Sequence, residues 1–257
     1  MKTIIIGAGR GRRLEHLTAQ EPKPFTVIQG KRILDWVLAA HRANGITDLT
    51  YIGGYLLDVV KQNYPALQFR HNTEWASNNI LQSLWYAADD MDNGFISTYA
   101  DILYQPGIVA KLLASPADIT IAVDTDWRTR YRHRSLHPTT DAEKVTVAGG
   151  RIARLHRAIP DNEAAGEFIG VAKFSPRGAQ IFKTYHQALP PNFQFEGKIP
   201  LARAYLIHFL NYLVEQGVEI KFVTTPGYYI EVDTLEDYAY AETYWQLPNP
   251  QLIASTV

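Results

Sequence analysis

Short apolar runs alternate with segments of helical periodicity through the first half of the chain. Residues 3–6 form a β-branched apolar run that ends in glycines, which is typical of a buried parallel strand. Residues 33–43 carry apolar side chains at helical spacing, and Gly45 follows as a stop signal. The same patterns predict further strands at 49–52, 67–70, 95–99 and 119–123, and further helices at 56–64, 80–88 and 108–114. This alternation predicts an α/β fold.

The pattern changes at residue 124. Residues 124–143 mix acidic, aromatic and basic side chains without a clear period, and residues 144–148 and 151–155 then predict a β-hairpin. Later segments predict strands at 167–174, 218–223 and 228–232, and helices at 178–188, 201–216 and 235–244. We therefore expect an open, mostly parallel, Rossmann-like mixed sheet with helices on both faces, and a small β-rich insertion at about 124–170. One domain is expected to span residues 1–247, followed by a loose tail at 248–257.

Composition and charge exclude several classes of protein. The chain has 257 residues, of which 46% are hydrophobic, and its formal net charge is −1. A chain of this kind is long enough for a full core, and it lacks the basic surplus of a nucleic-acid binder. Cysteine is absent, which excludes disulfides and thiolate chemistry. Neither a signal peptide nor an apolar run of about 18 residues is present, so we expect a cytoplasmic protein without membrane partners.

A glycine-rich loop with positive charges follows the first predicted strand. It reads GAGRGRR at residues 7–13, and its alternating glycines let consecutive backbone N–H groups approach an anion. A dinucleotide fingerprint has a different glycine spacing, and a Walker A loop would need Gly-Lys-Ser or Gly-Lys-Thr. The basic side chains favour a triphosphate. A plain glycine turn with solvated arginines is the alternative.

Lys23 lies between Pro22 and Pro24, shortly after this loop. The two prolines stiffen the backbone on both sides of the lysine. A lysine held in this way is a suitable point charge for a phosphate group. Most lysines in such a setting are simply exposed, so the prediction depends on the neighbouring glycine loop.

Two aspartates follow predicted strands and are far apart in sequence. Asp101 comes after the strand at 95–99, and Asp233 follows the strand at 228–232. Ligands of open α/β sheets bind at the carboxyl ends of strands, and Mg²⁺ prefers one or two carboxylates together with substrate phosphates. The sequence therefore predicts a Mg²⁺ site at Asp101 and Asp233. A turn or a helix N-cap is the alternative role for each residue.

The glycine loop together with Pro22-Lys23 resembles the signature of the sugar-phosphate nucleotidyltransferase superfamily. The resemblance implies that the loop binds a nucleoside triphosphate, that Arg13 and Lys23 stabilise charge during transfer, and that Asp101 and Asp233 hold the metal. It assigns nucleotide contacts in the loop to Ala8, Gly9, Gly11 and Arg12. The sequence departs from the pattern twice, because Gly7 stands where alanine is usual and Arg12 where serine or threonine is usual. Arg12 adds a charge that can alter nucleotide preference.

The region before Asp101 offers amide and hydroxyl side chains to a base. Amides provide donors and an acceptor, which suits the edge of a nucleobase. The predicted base-side residues are Asn72, Asn78, Asn79 and Ser83. Their pattern resembles the phosphocholine and phosphonate cytidylyltransferase branch of the superfamily, and an N-cap at Ser77 or Asn78 is the alternative for part of it.

The insertion resembles the acceptor-side segment of the same branch. Aromatic side chains can hold an ammonium group by cation–π contact, carboxylates can pair with it, and lysines can hold a phosphate or phosphonate. The predicted acceptor-binding residues are Asp124, Trp127, Tyr131, Lys144, Glu167, Lys173 and Tyr229.

These observations predict a Mg²⁺-dependent cytidylyltransferase. It would join CMP from CTP to a small phosphorylated or phosphonate acceptor, such as phosphocholine or 2-aminoethylphosphonate, and release pyrophosphate. One alternative is a sugar-1-phosphate nucleotidyltransferase that uses UTP, dTTP or GTP, and another is a nucleotide-binding regulatory protein without catalysis. An oxidoreductase is disfavoured because the second strand ends in Gly53-Gly54 rather than in an acid that reads a ribose. A homodimer is left open, and no nucleic-acid partner is expected.

Overall fold

The computed structural model describes residues 1–132 and 134–245, and within these ranges it has fifteen strands and eight α-helices. The strands are β1 (Lys2–Gly7), β2 (Val27–Ile28), β3 (Lys31–Arg32), β4 (Leu49–Gly53), β5 (Gln68–His71), β6 (Phe95–Tyr99), β7 (Ile102–Tyr104), β8 (Ile119–Asp124), β9 (Lys144–Ala148), β10 (Arg151–Leu155), β11 (Gly166–Phe174), β12 (Gln194–Phe195), β13 (Ile199–Pro200), β14 (Lys221–Thr225) and β15 (Tyr229–Glu231). The α-helices are α1 (Ile33–Arg42), α2 (Leu57–Asn63), α3 (Ile80–Trp85), α4 (Pro106–Ala114), α5 (Trp127–Tyr131), α6 (Pro176–Gln187), α7 (Leu206–Glu215) and α8 (Leu235–Tyr244). Short 3₁₀ helices lie at Arg12–Thr18, Lys23–Phe25, Ala88–Asp90, Thr139–Asp141 and Leu201–Arg203.

Nine of these strands form one open mixed sheet around β1. Its parallel part has the order β5-β4-β1-β6. Beyond β6 the sheet continues through antiparallel β11 to β8, and β14 pairs parallel with β8. The predicted hairpin of β9 and β10 forms, and β9 pairs with the first residues of β11. The predicted insertion therefore joins the edge of the main sheet.

The strand order reverses at β1. The chain leaves β1 towards β4 on one side, whereas β6 pairs with the other side of β1. A reversal of this kind opens a crevice at the carboxyl ends of the two strands. The glycine loop follows β1, and Asp101 follows β6, so the sheet brings both to the same crevice.

A two-stranded ladder brings the two predicted metal-binding aspartates together. β7 pairs antiparallel with β15, with Glu231 opposite Ile102. Beyond this pair the backbone N–H of Val232 donates to the carbonyl of Asp101 at 3.0 Å. Asp101 and Asp233 consequently lie at the same end of the ladder. β15 was predicted at 228–232, but the three residues of β7 were not predicted.

Gly170 allows β11 to pass close to Tyr99. The pairing of β11 with β8 shifts register between Phe168 and Ala172, and Gly170 inside this shift has a φ of 78°. A Cβ at Gly170 would lie 2.7 and 2.8 Å from Cε2 and Cγ of Tyr99. Glycine therefore satisfies both the left-handed backbone and the close approach of the ring.

The predicted α/β architecture, an open and mostly parallel mixed sheet with helices, is confirmed. The predicted helix at 201–216 is wrong at its start, because Leu201–Arg203 forms only a 3₁₀ turn and α7 begins at Leu206. Ala204 is extended, and the backbone N–H of Tyr205 donates to Nδ1 of His208 at 3.0 Å. His208, in the first turn of α7, therefore caps the start of this helix. The 3₁₀ turn at Leu201–Arg203 and α7 remain separate elements.

Residues 124–143 contain more regular structure than their mixed composition predicts. Trp127 and Tyr131 are buried on α5, where they pack edge to face at a centroid distance of 5.6 Å. The late strand β14 begins at Lys221, three residues after its predicted start. The predicted tail at 248–257 lies outside the described residues. Within the described ranges, no helix has the length and apolar character needed to cross a membrane.

Candidate active site

The glycine loop and Lys23 form one packed unit at the crevice. Gly11 has a φ of 67° and a ψ of 42°, in the left-handed region. A Cβ on Gly11 would lie 2.8 Å from Cδ and 2.9 Å from Cβ and Cγ of Lys23. Glycine is therefore required by the backbone conformation and by the space that Lys23 takes. Two motifs predicted separately from the sequence thus depend on each other.

Tyr51 explains why glycine stands at position 7. The Tyr51 hydroxyl, on the neighbouring strand β4, donates to the carbonyl of Gly7 at 2.8 Å. A Cβ on Gly7 would lie 2.6 Å from Cζ and 2.7 Å from Cε2 of the same ring. The departure from the alanine of the family pattern therefore follows from a fully buried tyrosine beside it.

Lys23 lies between the two predicted metal-binding aspartates. Its Nζ donates to Oδ2 of Asp101 at 2.5 Å and also to Oδ1 of Asp233. Burial by itself disfavours the ammonium, but the two carboxylates outweigh it and raise the pKa of Lys23. Lys23 is therefore cationic at neutral pH, with its charge fixed at the centre of the crevice.

Arg13 approaches the same group from the solvent side. Its Nη2 donates to Oδ2 of Asp233, while 55% of its side chain stays exposed. Burial opposes ionisation of Asp233, but Lys23 and Arg13 together lower the pKa of this carboxyl. Arg12 is exposed at the rim of the crevice. Arg12 is therefore free to reach towards an anion in the crevice, whereas Arg13 is held at Asp233.

Asp101 and Asp233 fit a small divalent cation. Their carboxylates already converge on one ammonium group, so their oxygens surround a point of positive charge. Mg²⁺ accepts one or two carboxylates when phosphates and waters complete its octahedron. The donor set and its convergence suit Mg²⁺ bound together with a nucleotide.

Ion pairs join the predicted insertion to the segment that carries Asp233. Nε of Arg134 donates to Asp237 at 2.5 Å, and Nη2 lies 3.4 Å from Oε2 of Glu231. Asp237 also accepts from the backbone N–H of Asp233 at 3.0 Å, which is a structural role. Burial and the neighbouring charge of Asp233 raise the pKa of Glu231 to about 7. This corner of the crevice is thus rich in buried charge.

Asn72 supports the residues predicted to face the base. Its amide pairs with the amide of Asn78 in both directions, at 2.8 and 2.9 Å, and it donates to Oγ of Ser83 at 2.8 Å. Asn78, Asn79 and Ser83 line the crevice, whereas Asn72 is fully buried behind them. Asn72 therefore holds Asn78 and Ser83 in position and does not itself line the crevice.

Asn79 is the N-cap of α3. Its side chain accepts from the first backbone N–H of the helix at 2.9 Å, and its Nδ2 donates to the carbonyl of Arg203 at 3.2 Å. The expectation of a cap at Ser77 or Asn78 is wrong, because the Asn78 side chain is bound to Asn72 instead.

The far end of the crevice is acidic and aromatic. Oε1 of Glu143 accepts from Nη2 of Arg157 at 3.1 Å, and the Arg157 guanidinium lies 4.2 Å from the ring centroid of Tyr205. Burial raises the pKa of Glu143, although Arg157 opposes this shift. Glu167 and Tyr229 line the same end. This end therefore offers charges of both signs and aromatic faces to a small ligand.

The structure brings two of the seven predicted acceptor-binding residues, Glu167 and Tyr229, to the wall of the crevice. Asp124, Trp127 and Tyr131 lie behind Glu167. Arg130 binds both Asp124 and Glu167, the latter at 2.5 Å, and the Tyr131 hydroxyl donates to Glu167 at 2.7 Å. Trp127 packs against Tyr131 in a small separate core. These three residues fix Glu167 and do not reach the crevice themselves.

Lys144 and Lys173 point away from the crevice. Lys144 donates to Asp161 at 2.8 Å, and Lys173 donates to the backbone carbonyl of Ser115 at 2.5 Å. Neighbouring residues of an extended chain point to opposite sides. The residue before Lys144 is Glu143, which faces the crevice. Sequence reasoning selected the wrong member of this adjacent pair as a crevice residue.

Sequence reasoning missed several residues that line the crevice, namely Tyr99, His137, Glu143, Arg157, Tyr205 and Glu231. One signal was available for Glu231, because residues two apart on a strand share a face and Asp233 was already selected. Arg157 follows the end of β10, and Tyr205 comes from the segment before α7. No local pattern joins these two residues, so only the tertiary structure shows that they meet.

The crevice has a volume of about 540 Å³, within the range of small-molecule sites. One end presents the glycine loop with Lys23, and the other presents Glu143, Glu167 and Tyr229. This fold and cleft are those of a nucleotidyltransferase. Residues 3–170 match the family model described as the MobA-like NTP transferase domain, and the chain belongs to that family.

The relatives that resemble this chain include several cytidylyltransferases. The chain is 30% identical over 247 residues to the CTP:phosphoglutamine cytidylyltransferase of Campylobacter jejuni, covering 92% of this chain and 97% of that protein. It is 31% identical over 94 residues to the 2-aminoethylphosphonate cytidylyltransferase of Lancefieldella rimae, covering 35% of this chain and 38% of that one. Among solved structures, the CTP:phosphocholine cytidylyltransferase of Streptococcus pneumoniae has a TM-score of 0.69 at 21% identity, covering 94% of this chain and 97% of that one. This last likeness concerns the fold.

Proposed function

We propose that this protein is a Mg²⁺-dependent cytidylyltransferase. It transfers CMP from CTP to a small phosphorylated or phosphonate acceptor that bears an amine, and it releases pyrophosphate. One observation carries the proposal: a single cleft joins a phosphate-binding end around Lys23 to an acidic, aromatic end around Glu143 and Glu167. The two relatives described above are named for CTP and for acceptors that combine nitrogen and phosphorus.

The nucleotide occupies the end of the cleft at the glycine loop. The backbone N–H groups around Gly9 and Gly11 bind the triphosphate, together with Arg12, Arg13 and Lys23. The side chains of Asn78, Asn79 and Ser83 face the base and can donate to and accept from its edge. This arrangement suits a pyrimidine that carries both an amino group and a carbonyl.

The acceptor occupies the far end. Its ammonium group contacts the carboxylate of Glu167 and the ring of Tyr229, which Arg130 and Tyr131 hold in place. Its phosphate or phosphonate group extends towards Lys23 and Arg13. This orientation places an acceptor oxygen next to the α-phosphorus of CTP.

Transfer is an in-line displacement. A bond forms between the acceptor oxygen and the α-phosphorus, while the bond from the α-phosphorus to the bridging oxygen breaks and pyrophosphate leaves with its electron pair. The attacking oxygen is already anionic, so no general base is required. Arg13 and Lys23 stabilise the negative charge that develops on the phosphoryl oxygens. A Mg²⁺ ion held by Asp101 and Asp233 supplies, when bound, charge neutralisation and orientation of the phosphates.

A substrate panel tests the proposal. CTP, UTP, GTP and dTTP are each assayed for pyrophosphate release with phosphocholine, 2-aminoethylphosphonate, phosphoglutamine and glucose-1-phosphate. We expect CTP with one of the amine-bearing acceptors to give the highest kcat/KM. A clear preference for glucose-1-phosphate with another nucleotide would overturn the proposed acceptor class.

The Asp101→Ala variant tests the metal assignment. Loss of one of two converging carboxylates is expected to lower kcat by roughly two orders of magnitude or more, because charge stabilisation at the reacting phosphate is lost. The Asp118→Ala variant removes an acid that lies outside the cleft and serves as the matched control. Near-wild-type pyrophosphate release by Asp101→Ala would show that Asp101 does not hold the metal.

A further inference from the structure

His137 has an unsatisfied nitrogen that lies beside Glu231, which lines the cleft, and 3.8 Å from Oδ2 of Asp237. The side chain is 4% exposed, and its Nδ1 is buried without a hydrogen-bond partner. This atom lies 3.7 Å from Oε2 of Glu231. Buried polar atoms normally have a partner, so an unpartnered nitrogen beside carboxylates indicates that a further atom belongs there.

His137, Glu231 and Asp233 each offer one ligand atom, and these atoms all lie within 4.8 Å of one another. Three donor atoms bound to one cation at about 2.1 Å lie mostly about 3.0–3.6 Å apart, so side-chain shifts of roughly 1 Å would close the group around an ion. All three residues line the cleft, which gives an ion a route of entry. The arrangement is therefore that of a three-residue metal site open to substrate.

The second nitrogen of His137 has a carboxylate nearby. Its Nε2 lies 3.8 Å from Oδ2 of Asp141, beyond hydrogen-bond distance, so a small movement would be needed to join them. Histidines that bind a metal through one ring nitrogen commonly direct the other nitrogen to a carboxylate, which fixes the tautomer and the ring orientation. The Tyr131 ring packs edge to face on the imidazole at 5.9 Å and limits its rotation further.

Carboxylates outnumber cationic side chains by one around this place, before any Mg²⁺ is counted. Four carboxylates meet three cationic side chains, namely Asp101, Glu231, Asp233 and Asp237 against Arg13, Lys23 and Arg134. Arg134 makes its close contact with Asp237, and it lies 3.4 Å from Glu231. Glu231 can therefore turn to an ion without breaking the ion pair between Arg134 and Asp237.

We propose that His137, Glu231 and Asp233 bind a divalent transition-metal ion such as Mn²⁺, Co²⁺ or Zn²⁺. This site differs from the Mg²⁺ position between Asp101 and Asp233, although the two positions share Asp233. The proposal rests on the proposed function only through that shared residue. An imidazole ligand favours Mn²⁺, Co²⁺ and Zn²⁺ over Mg²⁺, which prefers oxygen donors. His137 lies in the insertion and Asp233 follows β15, so an ion here would tie the insertion to the catalytic centre.

Mn²⁺ binding to the purified protein without nucleotide tests the proposal. Binding is measured from the EPR signal of free Mn²⁺, and Mg²⁺ is then added as a competitor. We expect the His137→Gln variant to bind Mn²⁺ at least tenfold more weakly than the wild type. His156→Gln is the matched control, since this histidine pairs with Glu196 outside the cleft, and it should leave binding unchanged. Asp101→Asn should retain the His137-dependent binding.

Pulsed EPR of the wild-type Mn²⁺ complex gives a second readout that needs no variant to fold. Coupling of Mn²⁺ to a nitrogen nucleus is expected, because an imidazole is a ligand. Absence of this coupling, together with unchanged affinity in His137→Gln, would overturn the proposal. Binding lost only in Asp101→Asn would also overturn it and would leave the proposed transferase function intact. If instead the substrate panel finds no transfer while His137-dependent Mn²⁺ binding persists, the proposed transferase function is contradicted and the proposed metal site is supported.

Discussion

The backbone of Gly11 lies so close to Lys23 that no side chain fits between them, with 2.8 Å from an ideal Cβ to Cδ of the lysine. Lys23 in turn binds Asp101 and Asp233. The position of the central ammonium therefore depends on a glycine in a different motif. A change at Gly11 should act on the chemistry through Lys23, without removing any charged group.

The Gly11→Ala variant is expected to lower kcat/KM by roughly two orders of magnitude, because displacement of a catalytic group by about 1 Å has an effect of that size. Gly30→Ala is the matched control. Gly30 has a φ of 79°, so it shares the backbone cost, but no atom lies within 4 Å of its ideal Cβ. The left-handed backbone should cost both variants about 1–2 kcal/mol of unfolding free energy, and Gly11→Ala should lose more because its Cβ must displace Lys23. Steady-state kinetics and urea unfolding would show whether only Gly11→Ala loses activity; equal activity in the two variants would contradict the role of this contact.

Arg157 is expected to contribute to the affinity for the acceptor and not for the nucleotide. In Arg157→Gln, the KM for the acceptor should rise roughly tenfold or more, the size expected for a lost hydrogen bond to a charged group. The KM for CTP should stay within about twofold of the wild-type value, because Arg157 lies at the opposite end of the cleft. Arg154→Gln, an exposed arginine on the same hairpin, is the control. A rise in both KM values would show that Arg157 supports the structure of the cleft as a whole and does not act specifically on the acceptor.

His41 makes the stability of the protein depend on pH. Burial lowers the pKa of His41 to about 3, and the ring is held between Oγ1 of Thr3 at 2.9 Å and the Tyr104 hydroxyl at 2.7 Å. The unfolded chain binds a proton below about pH 6.5, whereas the folded protein does so only near pH 3. Stability contributed by this group is therefore complete above about pH 6.5 and decreases as the pH falls towards 3, by up to about 1.4 kcal/mol per pH unit.

Urea unfolding between about pH 6.5 and about pH 4.5 checks this dependence. His41→Gln keeps hydrogen-bonding groups at this place but cannot take up a proton, so its unfolding free energy should change less with pH than that of the wild type. His16→Gln, at an exposed histidine, should behave as the wild type. Parallel pH profiles for the wild type and His41→Gln would show that His41 is not responsible.

Sequence periodicity was sufficient for the central strands of the main sheet, because β4, β6, β8 and β11 are buried throughout. Short apolar runs such as those within β1 and β8 are recognisable without tertiary information. The glycine loop, Asp101 and Asp233 were selected because they follow predicted strands, and Lys23 was selected because it lies between two prolines near that loop. β7 was not predictable, because three residues are too few to show a period.

The acceptor end was predicted less well for a physical reason. Glu143 and Lys144 are adjacent, and the sequence does not reveal which one faces the cleft when a strand begins between them. Arg130 was not selected at all, yet it binds both Asp124 and Glu167 in the interior. Charged residues in a segment without a period can support a site from behind as readily as they can line it. The assignments of the acceptor, of a homodimer and of a cytoplasmic location stay predictions.

The ladder between β7 and β15 constrains how this protein can diverge. Its three residue pairs set the distance from Asp101 to Asp233 through main-chain hydrogen bonds, so that distance does not depend on the side chains along the two strands. An inserted or deleted residue within 229–233 would turn Asp233 to the other face and separate the carboxylates. Functional descendants of this chain are therefore expected to keep the length of this segment fixed, even where side chains of these strands that do not line the cleft are substituted.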